Sequence, residues 1–222
     1  MNFGEPIAIH GQAEVERVAD FAATNGDARS GIEKQFIDRL RAHDAAAFEQ
    51  LVMERSGEVY ALLFRLTEDS EEARDLTQET FLRAFQAIAK FRGDADLRTW
   101  LYRIALNQAR NRWRWWRRRR RDRTVSLDAP LNRESDESFG ASLSQSGALD
   151  PEQQALLNER EAVLLKALGT LRSTYREVVV LRDVEGLSYE ECAAALSISI
   201  GTVKSRLSRG RLELKRKLDG TM

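Results

Sequence analysis

Residues 188–211, SYEECAAALSISIGTVKSRLSRGR, constrain the fold more than any other stretch of the 222-residue chain. They divide into two short helices joined by a tight turn, the pattern of a helix-turn-helix. On the first helix Cys192, Ala193 and Leu196 share an apolar face, and the small Ala193 lets a second helix cross closely. Ser197 and Ile198 form the turn, and Ser199 is placed to cap a helix that begins at Ile200. Ile200, Val203, Leu207 and Leu214 then repeat at helical spacing and are expected to face the core. Away from them stand Gly201, Thr202, Ser205, Ser208 and Arg209, flanked by Lys204 and Arg206. Small and hydroxyl side chains let a helix enter a groove deeply, and flanking cations reach phosphates. The plainer alternative is a surface hairpin with a solvated basic face. Apolar spacing, capping and charge placement agree on the DNA-reading form.

Charge matters here by position, not by total. Lysine plus arginine equal aspartate plus glutamate at 35 each. Arginines gather at 103–123 and the basic residues return at 204–217, whereas acids dominate 68–79 and 134–161. Segregated signs suit different faces to different partners. Helix formers run throughout and glycine and proline are modest, which predicts an all-α fold. No apolar run approaches about 18 residues, so no membrane span is expected, and the N-terminus lacks a secretory layout. The lone Cys192 cannot form an intrachain disulfide and is expected to be a buried thiol. With histidine only at 10 and 43, no metal site is expected, and no cofactor. These features together point to a bacterial-type cytoplasm.

Residues 1–31 show weak periodicity and read as a mobile extension, with room for a short helix over Glu14–Ala23. From Ile32 the apolar pattern firms into two helices broken near Asp44. Asp69 or Ser70 can cap the next helix, Glu71 to Ala89, whose buried stripe is Leu76, Phe81, Ala84 and Ile88. Its other face carries Asp75, Gln78, Glu79, Leu82, Arg83 and Gln86. Leu82 among charges is either an ordinary exposed side chain or an anchor for a partner helix inside a polar rim. Lys90–Thr99 reads as a loop, and Trp100 as the start of a long helix with Leu101, Ile104, Ala105 and Gln108 inward. Arg103, Asn107, Arg110 and Arg114 recur at steps of four, three and four, so they share one outer stripe. Like charges stacked this way repel, which favours an anionic partner lying along them.

The helix ends in NRWRWWRRRRR, residues 111–121. Trp113, Trp115 and Trp116 among cations suit phosphates and unstacked bases. A solvated basic helix end and a core tryptophan are the structural alternatives. Membrane-surface binding fits less well, because the tryptophans do not keep to one helical face. Residues 119–151 lose periodicity and gain serine, glycine and acids, so they read as a flexible linker, longer than a compact domain normally holds. Such a segment is either disordered or a functional path through a partner. Helical pattern resumes over residues 152–168 and 172–182, with Tyr175 and Val178–Val180 supplying core positions, and the tail 219–222 frays.

DLTQETFLRAF (75–85), FRGDADLRTWLYRIALNQARN (91–111) and LRSTYREVVVLRDVEGLSYEECAAALSISIGTVKSRLSRGR (171–211) together resemble the bacterial RNA-polymerase sigma factors of the extracytoplasmic-function (ECF) group. The resemblance covers residues 32–118, as the promoter-melting domain 2, and 152–218, as the helix-turn-helix domain 4. It implies two small helical domains on a flexible linker and a transcription initiation factor, not an enzyme. Asp75, Gln78, Glu79, Leu82, Arg83 and Gln86 would dock on the clamp of the large subunit of core RNA polymerase. Phe91, Arg92, Asp94, Trp100, Arg103, Asn107, Arg110 and Arg114 would melt and read the promoter element nearest the start site. Gly201, Thr202, Lys204, Ser205, Arg206, Ser208 and Arg209 would read the upstream element. An anti-sigma protein, often membrane-anchored, is the implied inhibitor.

Three residues or stretches depart from the family pattern. Ser197 stands where such turns usually have glycine, a cost of about 1 kcal/mol if the residue is left-handed. Cys192 replaces a branched apolar residue, and 113–121 is more basic and aromatic than the resemblance explains. The competing readings are a stand-alone helix-turn-helix regulator, for which no dimer interface or sensor domain is visible, and a DNA recombinase, for which the nucleophile and arginine cluster are poorly supplied.

Overall fold

The computed structural model describes residues 31–122 and 151–219, with side chains described for 31–115 and 159–219. The Glu14–Ala23 helix and most of the 119–151 linker therefore lie outside the described residues. Among the described residues the regular elements are helical throughout. The first unit holds α1 (31–41), α2 (Ala45–Thr67), α3 (Ser70–Ala87), one 3₁₀ turn (Ile88–Lys90) and α4 (Leu97–Asp122). The second holds α5 (Pro151–Gly169), α6 (Ser173–Val179), a wider π turn (Val180–Val184), α7 (Tyr189–Leu196) and α8 (Ile200–Asp219).

Local chemistry accounts for most boundaries. Asp44 breaks α1 from α2 as an N-cap, its carboxylate accepting from the amides of Ala46 and Ala47. Asp69, not Ser70, caps α3 by accepting from Glu72 N at 2.9 Å. Ser188 and Glu191 form a reciprocal capping box at the start of α7. α4 begins at Leu97, three residues before the expected Trp100, because Leu97 and Thr99 are themselves buried and the first turn closes from Asp96 O to Trp100 N. Its inner face is also wider than Leu101, Ile104, Ala105 and Gln108. Tyr102 and Leu106 are fully buried, and Tyr102 reaches Glu185 of the second unit.

The second unit turns on small residues. Cys192, Ala195 and Leu196 are buried in α7, and the partly covered Ala193 packs against the same core. Ser197 is left-handed, φ 55° and ψ 47°, and its amide closes back on Ala193 O. Ser199 Oγ then accepts from Thr202 N at 3.2 Å, starting α8 as expected. Val203 and Leu207 are buried and Leu214 packs beside them. Ile200 is instead 38% exposed: as the first residue of α8 it precedes the turn that reaches the core. Gly210 lies tight against α6, where an added Cβ would come within 2.8 Å of Val179 Cγ2.

The two units close on one another, and their buried apolar residues join in one cluster. α4 packs along α7, and α2 meets α5, α6 and the π turn. The seam is polar where it is most specific. Glu185, its side chain 8% exposed, accepts from Tyr102 Oη at 2.7 Å, Arg65 Nη1 at 3.1 Å and Arg98 Nη2 at 3.2 Å. Glu177, 9% exposed, takes both arms of Arg110, Nε at 2.8 Å and Nη2 at 2.6 Å. Arg176 donates to Leu66 O, to Glu68 and to Gly169 O.

Candidate functional site

The residues singled out from the sequence fall on three surfaces. On the first, α3 and α4 run antiparallel and leave a groove of about 770 Å³ between them, lined by Asp75, Gln78, Glu79, Leu82, Gln108, Asn111, Arg112 and Trp115. Leu82 is 52% exposed inside a rim of carboxylates and amides. Arg83 folds back on Glu79 at 2.7 Å, one helical turn away, and Gln86 is exposed. Arg112 bridges toward Glu72 at 3.6 Å and Asp75 at 3.9 Å, fixing the width of the groove. An apolar side chain surrounded by polar groups suits a partner helix. Gln108, Arg112 and Trp115 complete that groove from α4. Sequence periodicity could not assign them to it, because they lie on the flank of α4 and not on the Arg103 stripe.

The second surface is the exposed edge of α4 and the loop before it. Lys90, Arg92, Asp94, Thr99, Trp100 and Arg103 line a cleft of about 280 Å³ whose far wall is Ala194 of α7. Phe91 borders the cleft but is only 5% exposed. Its ring packs on Trp100 at 5.1 Å, and its carbonyl accepts two bonds from Arg41. Phe91 thus shapes the cleft from within the core and is not a surface contact. Arg103, Asn107 and Arg114 are exposed on one stripe. Arg110 belongs to that stripe by spacing yet is held by Glu177 across the seam. Hydrogen bonding to Glu177 raises the Arg110 pKa against the opposing effect of burial. The same seam perturbs Tyr102: burial first, then the bond to Glu185, holds its phenol well above the usual range. Burial works against the charge of Arg98, but Tyr102, Glu58 and Glu185 outweigh it and its pKa rises.

The third surface is the outer face of α8. Gly201, Lys204, Ser205, Ser208 and Arg209 are exposed, with Thr202 and Arg206 partly covered. Ser199 Oγ and Thr202 Oγ1 share a 2.8 Å hydrogen bond, and Ser205 donates to Thr202 O, so the small residues hold a smooth surface. Lys204 and Arg182 both stand over the Tyr189 ring. Arg211 is tied to Asp183, which pins α8 to the π turn. The arrangement is a helix whose polar face is free to enter a major groove while its apolar face is anchored.

Among the described residues no cluster of ligating side chains could hold a metal ion, and no helix is long and apolar enough to cross a membrane. The family description Sigma-70 region 2 matches residues 51–122, and Sigma-70, region 4 matches 161–214. The RNA polymerase sigma-H factor of Pseudomonas aeruginosa is 35% identical over 179 residues, covering 81% of this chain and 90% of that one. The chain belongs to the ECF sigma factors. The ECF RNA polymerase sigma-E factor of Escherichia coli is 34% identical over 186 residues, 84% of this chain and 94% of its own length. Among solved structures, the sigma factor RpoE of Bartonella quintana, in complex with the anti-sigma factor NepR, superposes with a TM-score of 0.58 at 28% identity, covering 78% of this chain and 96% of that one. As a sigma factor the chain is a transcription initiation factor and not an enzyme.

Proposed function

We propose that this sigma factor uses the α3–α4 groove to dock on the clamp of core RNA polymerase, the α4 edge to open and read the promoter element nearest the start site, and the α8 face to read the upstream element. The observation that carries the reading is the adjacency of the first two surfaces on α4. One flank of the helix, through Gln108 and Arg112, completes the groove, while Arg103 and Asn107 stand exposed beside the cleft. A chain gripping polymerase by one flank presents the other to DNA held by that polymerase. A base leaving the stack costs a few kcal/mol; the cleft beside Trp100 and Arg103 offers it an aromatic wall and cations in return. Two such weak contacts on one chain reinforce each other through effective concentration.

Reading with Arg110 requires that α6 move away, since Glu177 holds that guanidinium. The sigma factor therefore works in an opened form, and the closed form is its resting state. A protein inhibitor is the natural partner of the closed form: the B. quintana relative was solved with an anti-sigma factor. Polymerase and promoter partners place the chain in the cytoplasm, on the nucleoid when active. The test is open-complex formation with purified core polymerase, read by permanganate reactivity of unpaired thymines. Leu82→Glu should abolish assembly with core enzyme while the fold persists. Tight promoter binding by the chain alone, with no opening in the presence of core enzyme, would replace this reading by that of a stand-alone regulator.

A further inference from the structure

Trp113 and Trp115 stand two residues apart on α4 and face different ways. At about 100° per residue, the stripe of Arg103, Asn107, Arg110 and Arg114 occupies one side of the helix, and Trp115 lies roughly 110° round from it. Trp113 lies about 160° from Trp115, on the far flank. The two are 51% and 45% exposed, but of them only Trp115 lines the groove between α3 and α4. There it continues the row formed by Gln108 and Arg112, at steps of four and three. α3 answers with Asp75, Glu79 and Leu82 at the same steps.

The two rows run in opposite directions, and the approach of Arg112 to Asp75 fixes their register. From that level Leu82 lies seven residues along α3 one way, and Trp115 three residues along α4 the other way. At 1.5 Å per residue their backbone levels are ~15 Å apart. The groove therefore has an apolar side chain toward each end and a polar stretch between.

Charge decides what such a groove accepts. Glu72, Asp75 and Glu79 stand along it against two cations, Arg112 and Arg83, both already engaged with those carboxylates. The Asp75 side chain remains 69% exposed. A mouth edged this way repels phosphates, which sets Trp115 apart from the stripe on the same helix that is proposed to meet DNA. It suits a protein helix with an apolar residue near each end and a cation between them. Tryptophan offers that helix a large apolar area at little conformational cost, and it is enriched at the energetic centres of interfaces.

We infer that Trp115 is a second anchor for core RNA polymerase. Together with Leu82 it grips one helix of the clamp, at two apolar contacts about ten residues apart, and it makes no contact with DNA. The inference rests on the proposed docking role of the groove.

The test uses the full chain with purified core polymerase and promoter DNA. Trp115→Ala should weaken core binding about thirtyfold, the scale of an interface hot spot, and Trp115→Phe should recover most of it. Trp113→Ala should leave core binding within about twofold of the wild type. Once core enzyme is saturated, Trp115→Ala and the wild type should bind promoter equally. The contact itself is read with p-benzoylphenylalanine in place of Trp115. On irradiation it should join the chain to the large subunit of core enzyme, with or without promoter, an outcome that a purely structural tryptophan would not give. Far-UV circular dichroism identifies any variant that fails to fold, and the cross-link then decides alone. Unchanged core affinity in Trp115→Ala overturns the assignment, as does a cross-link to promoter DNA or to a second copy of the chain. Leu82→Glu separates the two levels of the argument. If it leaves core affinity intact, the docking role of the groove fails and the anchor with it. If it abolishes assembly while Trp115→Ala is neutral, only the anchor fails.

Discussion

The seam between the two units predicts how one uncharged substitution changes the shape of the whole molecule. Glu177→Gln keeps the volume of the side chain but converts one of the two carboxylate oxygens that receive Arg110 into an NH₂ group. The pair forms only in the closed state, because Glu177 belongs to α6 and Arg110 to α4. At about 4 Å between charge centres and an effective dielectric constant of about 20, the attraction is ~4 kcal/mol before desolvation. Glu177 is almost fully covered and Arg110 partly so, and removing one partner leaves the other ion half-buried without compensation. A net loss of about 2 kcal/mol to the closed state follows. That is about a thirtyfold shift toward the open state. The assay is single-molecule energy transfer between dyes on Met53→Cys and Lys215→Cys in a Cys192→Ala background, one label on each unit. The low-distance population should fall in Glu177→Gln. Arg110→Gln should have a similar effect, and the double variant should be no more open than the worse single one. Full additivity of the two substitutions, or an unmoved distance distribution, would show that apolar packing alone holds the units together.

Three smaller predictions come from single positions. Burial pushes the Cys192 thiol up to about 11 from an ordinary value near 9. Its neutral form is therefore favoured in the fold, and the stabilisation is complete below about pH 9 and lost as pH rises toward 11. The loss of ~2.7 kcal/mol should appear as an alkaline fall in urea midpoint that Cys192→Ala makes shallower between about pH 9 and 11, the remaining fall coming from the raised phenol of Tyr102; an identical pH profile in both chains would refute it. Ser197→Gly relieves a left-handed residue and should raise the melting temperature by about 2 °C; a lowered value would contradict the observed turn. Gly210→Ala forces a methyl group against Val179 and Tyr175 and should cost about 1–3 kcal/mol in chemical denaturation. A neutral result would mean that α8 can lift from α6 without loss.

Features set by neighbours in sequence could be read from the chain, and features set by distant ones could not. The cap Ser199 and the exposed Leu82 depend on residues within a turn or two, so spacing located them, and the family resemblance marked Ser197 as a left-handed position; the Ser188–Glu191 capping box, equally local, went unread. The early start of α4 escaped because Leu97 and Thr99 owe their burial to tertiary contacts, and nothing in a loop-like KFRGDADLRT announces that. Phe91 reads as a surface aromatic in sequence, yet Arg41, fifty positions earlier, holds its carbonyl and Trp100 covers its ring. The seam is the extreme case. Glu177 and Glu185 look like ordinary helix-end and turn carboxylates, and their partners lie 67 to 120 residues away.

Those two glutamates tie α6 and the π turn to the very helix whose outer stripe is proposed to meet DNA. Evolution could have covered the units' contact with apolar residues alone, which would be harder to separate. Hydrated ions lose little on parting, so a charged seam holds the closed form while keeping its opening reversible. The same choice leaves Arg110 able to trade a carboxylate for a phosphate: both are anions that accept the two parallel N–H groups of a guanidinium. A promoter phosphate would thus replace Glu177 at the same atoms, and DNA binding would itself favour the open sigma factor by its difference in affinity for the two forms.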